Sequence, residues 1–470
     1  MARIVFRRFC TLKVDKICLQ QEFNIVKQCF GAQGFFGATH RVMVVHPKVR
    51  WGKHSTSLLT SPELQLNEAI SLVNTLPYLR VTSSSIVGAD YSTKKKNMWA
   101  KGRIEKLKEQ LRNDRVTAIM INVDVLSPEQ QRHFYSVFGI PIFDRFNVVL
   151  NIFKHYAKTK EAILQIKLAE IPYIRYFIFH QFHQTDNFYP SDHCEMLRLR
   201  EHSLRKKLKA IMEKNNNLTK GQENKKVATI AVVGYTNVGK SSFIKLLTGK
   251  ALFVEDRLFA TLDSSTHFCR LPSGTPIYLT DTIGFISNLP INLFASFQAT
   301  LSHVINADLL IHIEDVSHPG RFAQRESVLK TLSNLKIRQS LLDSMIIVGN
   351  KVDKVSSIID KESNMHYISC LTGAGIPELI STIDQNIISI KRKVLRHLKL
   401  RPGSNAWYYL YKNSFLFGKS VPSNDNNFLH CKTFMDDEEF RLFEIKFSLS
   451  KHTKNDSKSP LSSFGISNFV

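Results

Sequence analysis

The chain is predicted to be a multidomain α/β protein. It combines an N-terminal α/β domain carrying a helical hairpin, a P-loop domain built on a doubly wound mixed sheet, and a small C-terminal α+β domain. Three observations predict this. A glycine-rich phosphate loop sits between an apolar strand and an amphipathic helix at 228–249. Strand-like and helix-like stretches alternate on both sides of it. A polar, charged segment, KNNNLTKGQENKK (214–226), separates the two alternating regions. At 470 residues the chain is also too long for one ordinary domain.

The elements follow in order. A presequence-like basic segment is expected over 1–35, then an α/β domain over 36–146. In that domain HRVMVVH (40–46) reads as a strand by its β-branched run. SPELQLNEAISLVNTL (61–76) reads as an amphipathic helix with apolar residues at 64, 66, 70, 73 and 76. KGRIEKLKEQL (101–111) is a basic helix, TAIMINV (117–123) a strand and SPEQQRHFYSVFG (127–139) a helix. The hairpin is expected over 147–215, with helices at 147–170 and 193–214. In the second of these Leu197, Leu204, Leu208 and Ile211 make one packing stripe. A linker over 216–226 leads to the P-loop domain at 227–390. The small C-terminal domain, 391–450, offers AWYYLY (406–411) and RLFEIKFSL (441–449) as strand-like pieces. The Ser-, Asn- and Lys-rich tail 451–470 is expected to be disordered.

Composition narrows the function classes. Apolar residues make up 43% of the chain and charged residues 22%, as in a globular protein. The formal net charge of +24 favours a polyanionic partner, nucleic acid ahead of an anionic membrane, through phosphate neutralisation and counterion release. The seven cysteines form no C-x-x-C pair and lack zinc-finger spacing to histidine, so unpaired thiols in a reducing compartment are expected. No apolar run reaches the roughly 18 residues of a membrane helix, so stable membrane insertion is not expected. Near the N-terminus, Arg3, Arg7, Arg8, Lys13 and Lys16 interleave with Ile4, Val5, Phe6 and Phe9, like a mitochondrial presequence. The alternative is a basic tail that contacts RNA, which leaves a cytoplasmic location open.

The phosphate loop is complete as G-x-x-x-x-G-K-S: Gly234, Tyr235, Thr236, Asn237, Val238, Gly239, Lys240 and Ser241, with Ser242 next. Its backbone N–H groups and the following helix N-terminus suit a polyphosphate. Lys240 reaches the β and γ oxygens, and the Ser241 hydroxyl ligates magnesium. NKVD follows a strand at 344–349. Its Asp353 suits guanine N1–H and the 2-amino group, Asn350 supports the loop, Lys351 covers the ring, and Val352 completes the motif. That turns a nucleotide triphosphatase into a GTPase, with GTP and GDP as ligands. Ser369, Cys370 and Leu371 form the turn expected beside the base, with a thiol where alanine is usual. Phe259, Ala260, Thr261, Leu262 and Asp263 make a first switch, where Thr261 closes on magnesium and Thr266 is a lesser candidate. Asp281, Thr282, Ile283 and Gly284 make a second, with Asp281 on magnesium and the Gly284 N–H on the γ-phosphate. Lys240, Thr261, Gly284 and Asn237 form the expected catalytic set, and Ser241, Thr261 and Asp281 the metal set. Phe285 stands where a water-orienting glutamine is found in the best-known small GTPases.

These motifs resemble the HflX family of GTPases, and its mitochondrial branch in particular. The resemblance is carried by GYTNVGKSS, LFATLD, DTIGFISNLP, FQATL (297–301), NKVD and LTGAGIPELI (371–380). Before the P-loop it is carried by HRVMVVHPKVRWG (40–52), AKGRIEKL (100–107), LSPEQQRHF (126–134) and FDRFNVVLNIFKHYAKTKEAILQIKLAE (143–170). It implies a monomeric GTPase that binds the large ribosomal subunit, both rRNA and ribosomal proteins, in mitochondrial ribosome assembly or subunit dissociation. It also implies that an apolar residue at Phe285 is compatible with hydrolysis, weak until the ribosome stimulates it. Asn237 is similar to an asparagine that helps related GTPases bind potassium, whose charge can act as an arginine finger does. One departure stands out: IFHQFHQTDNFYPSDHCEMLRLR (178–200) has no glycine where the family usually has a basic, glycine-rich loop. The competing expectation is a GTP-gated rRNA-binding scaffold with negligible hydrolysis.

Overall fold

The computed structural model describes residues 39–49, 60–89, 95–182, 190–220, 227–249, 265–286, 302–335, 337–355, 362–413, 415–423 and 427–447. The presequence-like segment, the switch residues Phe259, Ala260, Thr261, Leu262 and Asp263, most of the 178–200 connector's centre and the tail 451–470 lie outside these.

The N-terminal unit runs β1 (His40–Val49), α1 (Pro62–Asn74), β2 (Leu79–Ala89), α2 (Lys101–Asn113), β3 (Ala118–Ile121), α3 (Pro128–Phe138), β4 (Ile142–Phe143) and α4 (Arg145–Tyr156). Its strands pair in parallel in the order β2-β1-β3-β4. A parallel sheet needs apolar cover on both faces, and β1 meets that need with an unbroken buried run. Val42 and Val44 join the core under α1 and α4, while Met43 and Val45 join the one under α2 and α3. The helix starts are encoded locally. Ser61 accepts from the Leu64 N–H, Ser127 and Gln130 form a reciprocal capping box, and Asp144 accepts from the Asn147 N–H.

The hairpin departs from expectation at its first arm. The helix expected at 147–170 is two helices, α4 and α5 (Lys160–Phe182), because Ala157 is extended and the Thr159 hydroxyl caps the Ala162 N–H. The two have different tasks: α4 buries Phe146, Val149, Ile152 and Phe153 beneath the sheet, and α5 packs on α6 (Pro190–Lys220). The second arm runs to Lys220, into the segment expected to be linker; polar residues without glycine or proline do not by themselves stop a helix.

The P-loop unit runs β5 (Ala228–Gly234), α7 (Lys240–Thr248), β6 (Ser265–Arg270), β7 (Pro276–Asp281), α8 (Ser302–Ile305), β8 (Leu309–Asp315), α9 (Arg321–Asn334), α10 (Gln339–Asp343), β9 (Ile346–Asn350), β10 (Met365–Tyr367) and α11 (Ile376–Ile390). The strand order is β10-β9-β8-β5-β7-β6, and only β6–β7 is antiparallel. Chain order reverses at β5, so the crevice past its carboxyl end is the expected ligand position.

The last unit runs β11 (Val394–Leu400), α12 (Asn405–Lys412), β12 (Leu416–Pro422), β13 (Leu429–Met435) and α13 (Asp437–Phe447), an antiparallel sheet in the order β11-β13-β12. Both pieces expected to be strands are helical instead. Ser404 caps the first, burying Ala406 and Leu410 one turn apart. Asp436 accepts from the Glu439 N–H to start the second, which buries Phe440 and Phe443. The aromatic composition suggested strands; the caps and the helical spacing of the buried residues decide against them.

Candidate nucleotide site

The carboxyl ends of β5, β7, β8 and β9 converge on one crevice. The loop after β5 turns into α7, with Gly239 at φ 99°, and a side chain there would bring a Cβ within 2.3 Å of Asn350 Nδ2. Lys240 is buried and folds back over the loop, donating to the Tyr235 carbonyl at 2.8 Å and the Gly234 carbonyl at 3.3 Å. Burial pushes its ammonium down to about 8, against an opposing pull from the Asp281 carboxylate. Ser241 Oγ donates to Asp281 Oδ2 at 2.6 Å, so the end of β7 meets the first turn of α7. Thr282 turns away and donates to the Val232 carbonyl at 2.6 Å, and Ser242 is half-buried on α7.

Opposite, Asn350 ties two loops together. Its Nδ2 donates to the Val238 carbonyl at 2.8 Å, and its Oδ1 accepts from the Cys370 N–H at 3.1 Å. Asp353 Oδ1 accepts from Ser369 Oγ at 2.5 Å, which aims the carboxylate. Lys351 donates to the Asn237 carbonyl at 2.8 Å and pairs with Asp315 at 2.8 Å, holding its stem across the loop. Val352 opens a single 3-10 turn, and Leu371 is 83% exposed beside the crevice. Desolvation, with the Asp353 charge adding to it, pushes the Cys370 thiol up to about 12.

The second switch begins as part of the loop's own framework. Phe285 pairs its backbone with Tyr235, accepting from the Thr236 N–H at 2.8 Å and donating to the Gly234 carbonyl at 3.2 Å. Its ring is 3% exposed within the apolar core, as are the neighbours Ile283 and Ile286 at 7% and 1%. Gly284 is pressed on Thr236: a Cβ there would lie 2.6 Å from Thr236 Cγ2 and 3.1 Å from Lys240 Nζ. Thus Gly234 to Ser242, Asp281 to Gly284, Asn350 to Asp353 and Ser369 to Leu371 come together. Thr266, by contrast, lies in β6 facing Thr280.

Two family models match this chain: "50S ribosome-binding GTPase" over residues 229–351 and "GTP-binding GTPase N-terminal" over 63–154. "Putative GTP-binding protein 6" of Xenopus laevis is 36% identical over 390 residues, covering 80% of this chain and 74% of the relative. "GTPase HflX" of Caldanaerobacter subterraneus is 32% identical over 350 residues, covering 70% of this chain and 79% of the relative. The chain belongs to the HflX family of GTPases. Among solved structures, a GTP-binding protein from Sulfolobus solfataricus in complex with GDP aligns at 21% identity and a TM-score of 0.39, covering 74% of this chain and 99% of that one.

Sequence reasoning missed two residues of this HflX-type site. Asp315, at the carboxyl end of β8, anchors Lys351; an acid ending a central strand beside the switch point was the available cue. Glu68 of α1 receives the Tyr235 hydroxyl, and nothing in a helical heptad foretells a contact made 167 residues away. Behind β8, Arg325 bridges Glu314 and Glu362, and burial together with the Arg325 and Lys240 charges pushes His312 down to about 3.

Proposed function

We propose that this HflX-type GTPase binds magnesium-GTP at the crevice and, in that state, docks on the large ribosomal subunit of the mitochondrion. Docking serves late subunit assembly or the separation of subunits, and hydrolysis permits release. The reading is carried by the Asn350 bridge, which ties the phosphate loop to the loop that carries Cys370 at the carboxyl edge of the sheet. In this scheme Lys240 and the loop amides hold the phosphates, the Gly284 N–H meets the γ-phosphate, and Asp353 accepts from guanine with Ser369 fixing its angle. The Ser241 hydroxyl and Asp281 carboxylate, 2.6 Å apart, are hard oxygen donors of the kind magnesium takes. Ser241 would ligate it directly, Asp281 through water, and Thr261 would complete the set. Such an ion would supply neutralisation of the charge that develops on the phosphates. Potassium near Asn237 is a further proposed cofactor.

Support for the ribosomal partner comes from the match to the ribosome-binding GTPase family and from the +24 charge, which suits rRNA. The interleaved arginines and apolar residues before residue 10 support a mitochondrial destination. We take the N-terminal α/β domain with α4 included, the hairpin of α5 and α6 extended to Lys220, the P-loop domain 227–390 and the C-terminal unit 391–450 as the working domains, and a monomer as the active form. The test is GTP turnover by the full chain with and without mitochondrial large subunits, in potassium and in sodium. Stimulation by the subunit supports the proposal; a rate unchanged by it contradicts the proposal.

A further inference from the structure

We propose that the open face of the C-terminal sheet is a docking surface for single-stranded RNA. The proposal rests on the ribosomal reading only for the source of that RNA, an unpaired segment of rRNA. The unit has the order β-α-β-β-α with β13 between β11 and β12, a split βαβ arrangement without its last strand. Both helices lie on one side: Leu398, Leu400, Cys431 and Met435 fill a core with Ala406, Leu410, Phe440 and Phe443. The alternate residues of the same strands therefore face the other way.

Those residues are mostly basic and aromatic, with Leu395 and Val421 as exposed aliphatic residues among them. Lys399 lies opposite His430, and His397 opposite Lys432, which places the two lysines on a diagonal about 7–8 Å apart by sheet geometry. All four are exposed. On the neighbouring strand Phe417 pairs with Lys432, and its ring stands edge-on to Phe434 at 5.1 Å. At the strand ends Phe428 has Lys399 Nζ 4.7 Å and Arg401 Cζ 5.9 Å from its centroid. The described carboxylates of this unit, at 436–439 and 444, belong to α13 and the residue before it, in the helical layer. Concentrated positive charge with no described carboxylate beside it is unfavourable for a sheet face in isolation and favourable against a phosphodiester chain. Cations on the first and third strands, with Phe417 on the second and Phe428 just before the third, are what a single strand requires: phosphate neutralisation plus faces for unpaired bases. A duplex, with its bases stacked inward, could use only the charge.

The experiment measures binding of the full chain to a fluorescent 12-nucleotide single-stranded RNA and to a duplex of the same length, across a salt series. Lys399→Ala/Lys432→Ala is expected to weaken the single strand about tenfold and to lower the salt slope by about 1.4, at about 0.7 per phosphate contact. Phe428→Ala is expected to weaken the single strand about tenfold and the duplex little. Lys399→Arg/Lys432→Arg restores binding, and Lys446→Ala, in the helical layer, leaves it unchanged. Thermal unfolding of each variant separates lost binding from lost folding. Equal affinity in wild type and both alanine variants overturns the proposal, as does binding of cardiolipin vesicles, but not RNA, through the same lysines. Co-sedimentation with large subunits is read on the same samples. Intact GTP-dependent sedimentation with unchanged oligonucleotide binding removes this surface and keeps the ribosomal reading. Oligonucleotide binding that fails only in the sheet variants, without sedimentation of the wild type, does the reverse.

Discussion

Tyr235 Oη donates to Glu68 Oε1 at 2.6 Å, and the same oxygen accepts from Arg145 Nη2 at 2.6 Å. A residue of the phosphate loop thereby shares a carboxylate with α4 of the N-terminal unit, and Arg145 and Glu68 are only 5% and 17% exposed. Removing the Glu68 carboxylate strips a buried guanidinium of its ion pair, so Glu68→Ala should cost about 3 kcal/mol. Tyr235→Phe should cost about 1.5 kcal/mol, the worth of one hydrogen bond to a charged group. A double-mutant cycle by denaturant unfolding should return a coupling of about 1 kcal/mol. Additive effects would show that the loop and the N-terminal unit are not linked here.

Lys240 predicts how nucleotide affinity depends on pH. Its proton is held more weakly than in an exposed lysine, with a value of about 8 set chiefly by desolvation. In the proposed site phosphate binding needs the ammonium, so above that value the nucleotide-free protein would have to take up a proton to bind. GDP affinity should be flat near about pH 7 and fall toward tenfold per unit above about pH 8. Calorimetry in two buffers of different ionisation enthalpy should detect the uptake. Lys240→Ala should abolish both binding and the pH dependence.

Phe285 is a framework residue, and restoring a glutamine should not restore a catalyst. The ring is buried, while the backbone holds the second switch to Gly234 and Thr236. Phe285→Gln would bury an amide in place of a ring, at a cost of about 3 kcal/mol. Turnover should not rise. A Phe285→Gln protein that is as stable as wild type and hydrolyses GTP faster would contradict this placement.

At the proposed base wall the backbone of Cys370 is expected to matter and its thiol is not. The N–H donates to Asn350, and burial holds the thiol in its neutral form, at about 12. Cys370→Ala should keep GTP affinity within about twofold, and the native thiol should react slowly with iodoacetamide near neutral pH. Asn350→Ala, which frees both loops, should lower affinity about 100-fold, the loss expected from two buried hydrogen bonds.

The nucleotide crevice was the most legible part of the chain because its chemistry is local. A phosphate loop needs consecutive residues of fixed type, so Gly234 to Ser241 announces itself, and NKVD and the 369–371 turn follow at strand ends. The N-terminal helices were legible for a similar reason: Ser61, Ser127 and Gln130 carry their caps within one turn. What failed depended on competing local rules or on distance. Tyr408, Tyr409 and Phe443 favour strands by propensity, yet Ser404 and Asp436 start helices there. The break at Ala157 rests on Thr159, a cap hidden inside a helical apolar pattern. Glu68 and Asp315 meet their partners only through the tertiary fold, and no spacing along the chain encodes that.

In the proposed scheme the occupant of this crevice decides whether the protein sits on the large subunit. The most direct test is sedimentation of the full chain with purified mitochondrial large subunits, with a non-hydrolysable GTP analogue or with GDP, beside Lys240→Ala. Co-sedimentation is expected with the analogue, little with GDP and none for Lys240→Ala with either. Equal co-sedimentation in all of these conditions would contradict it.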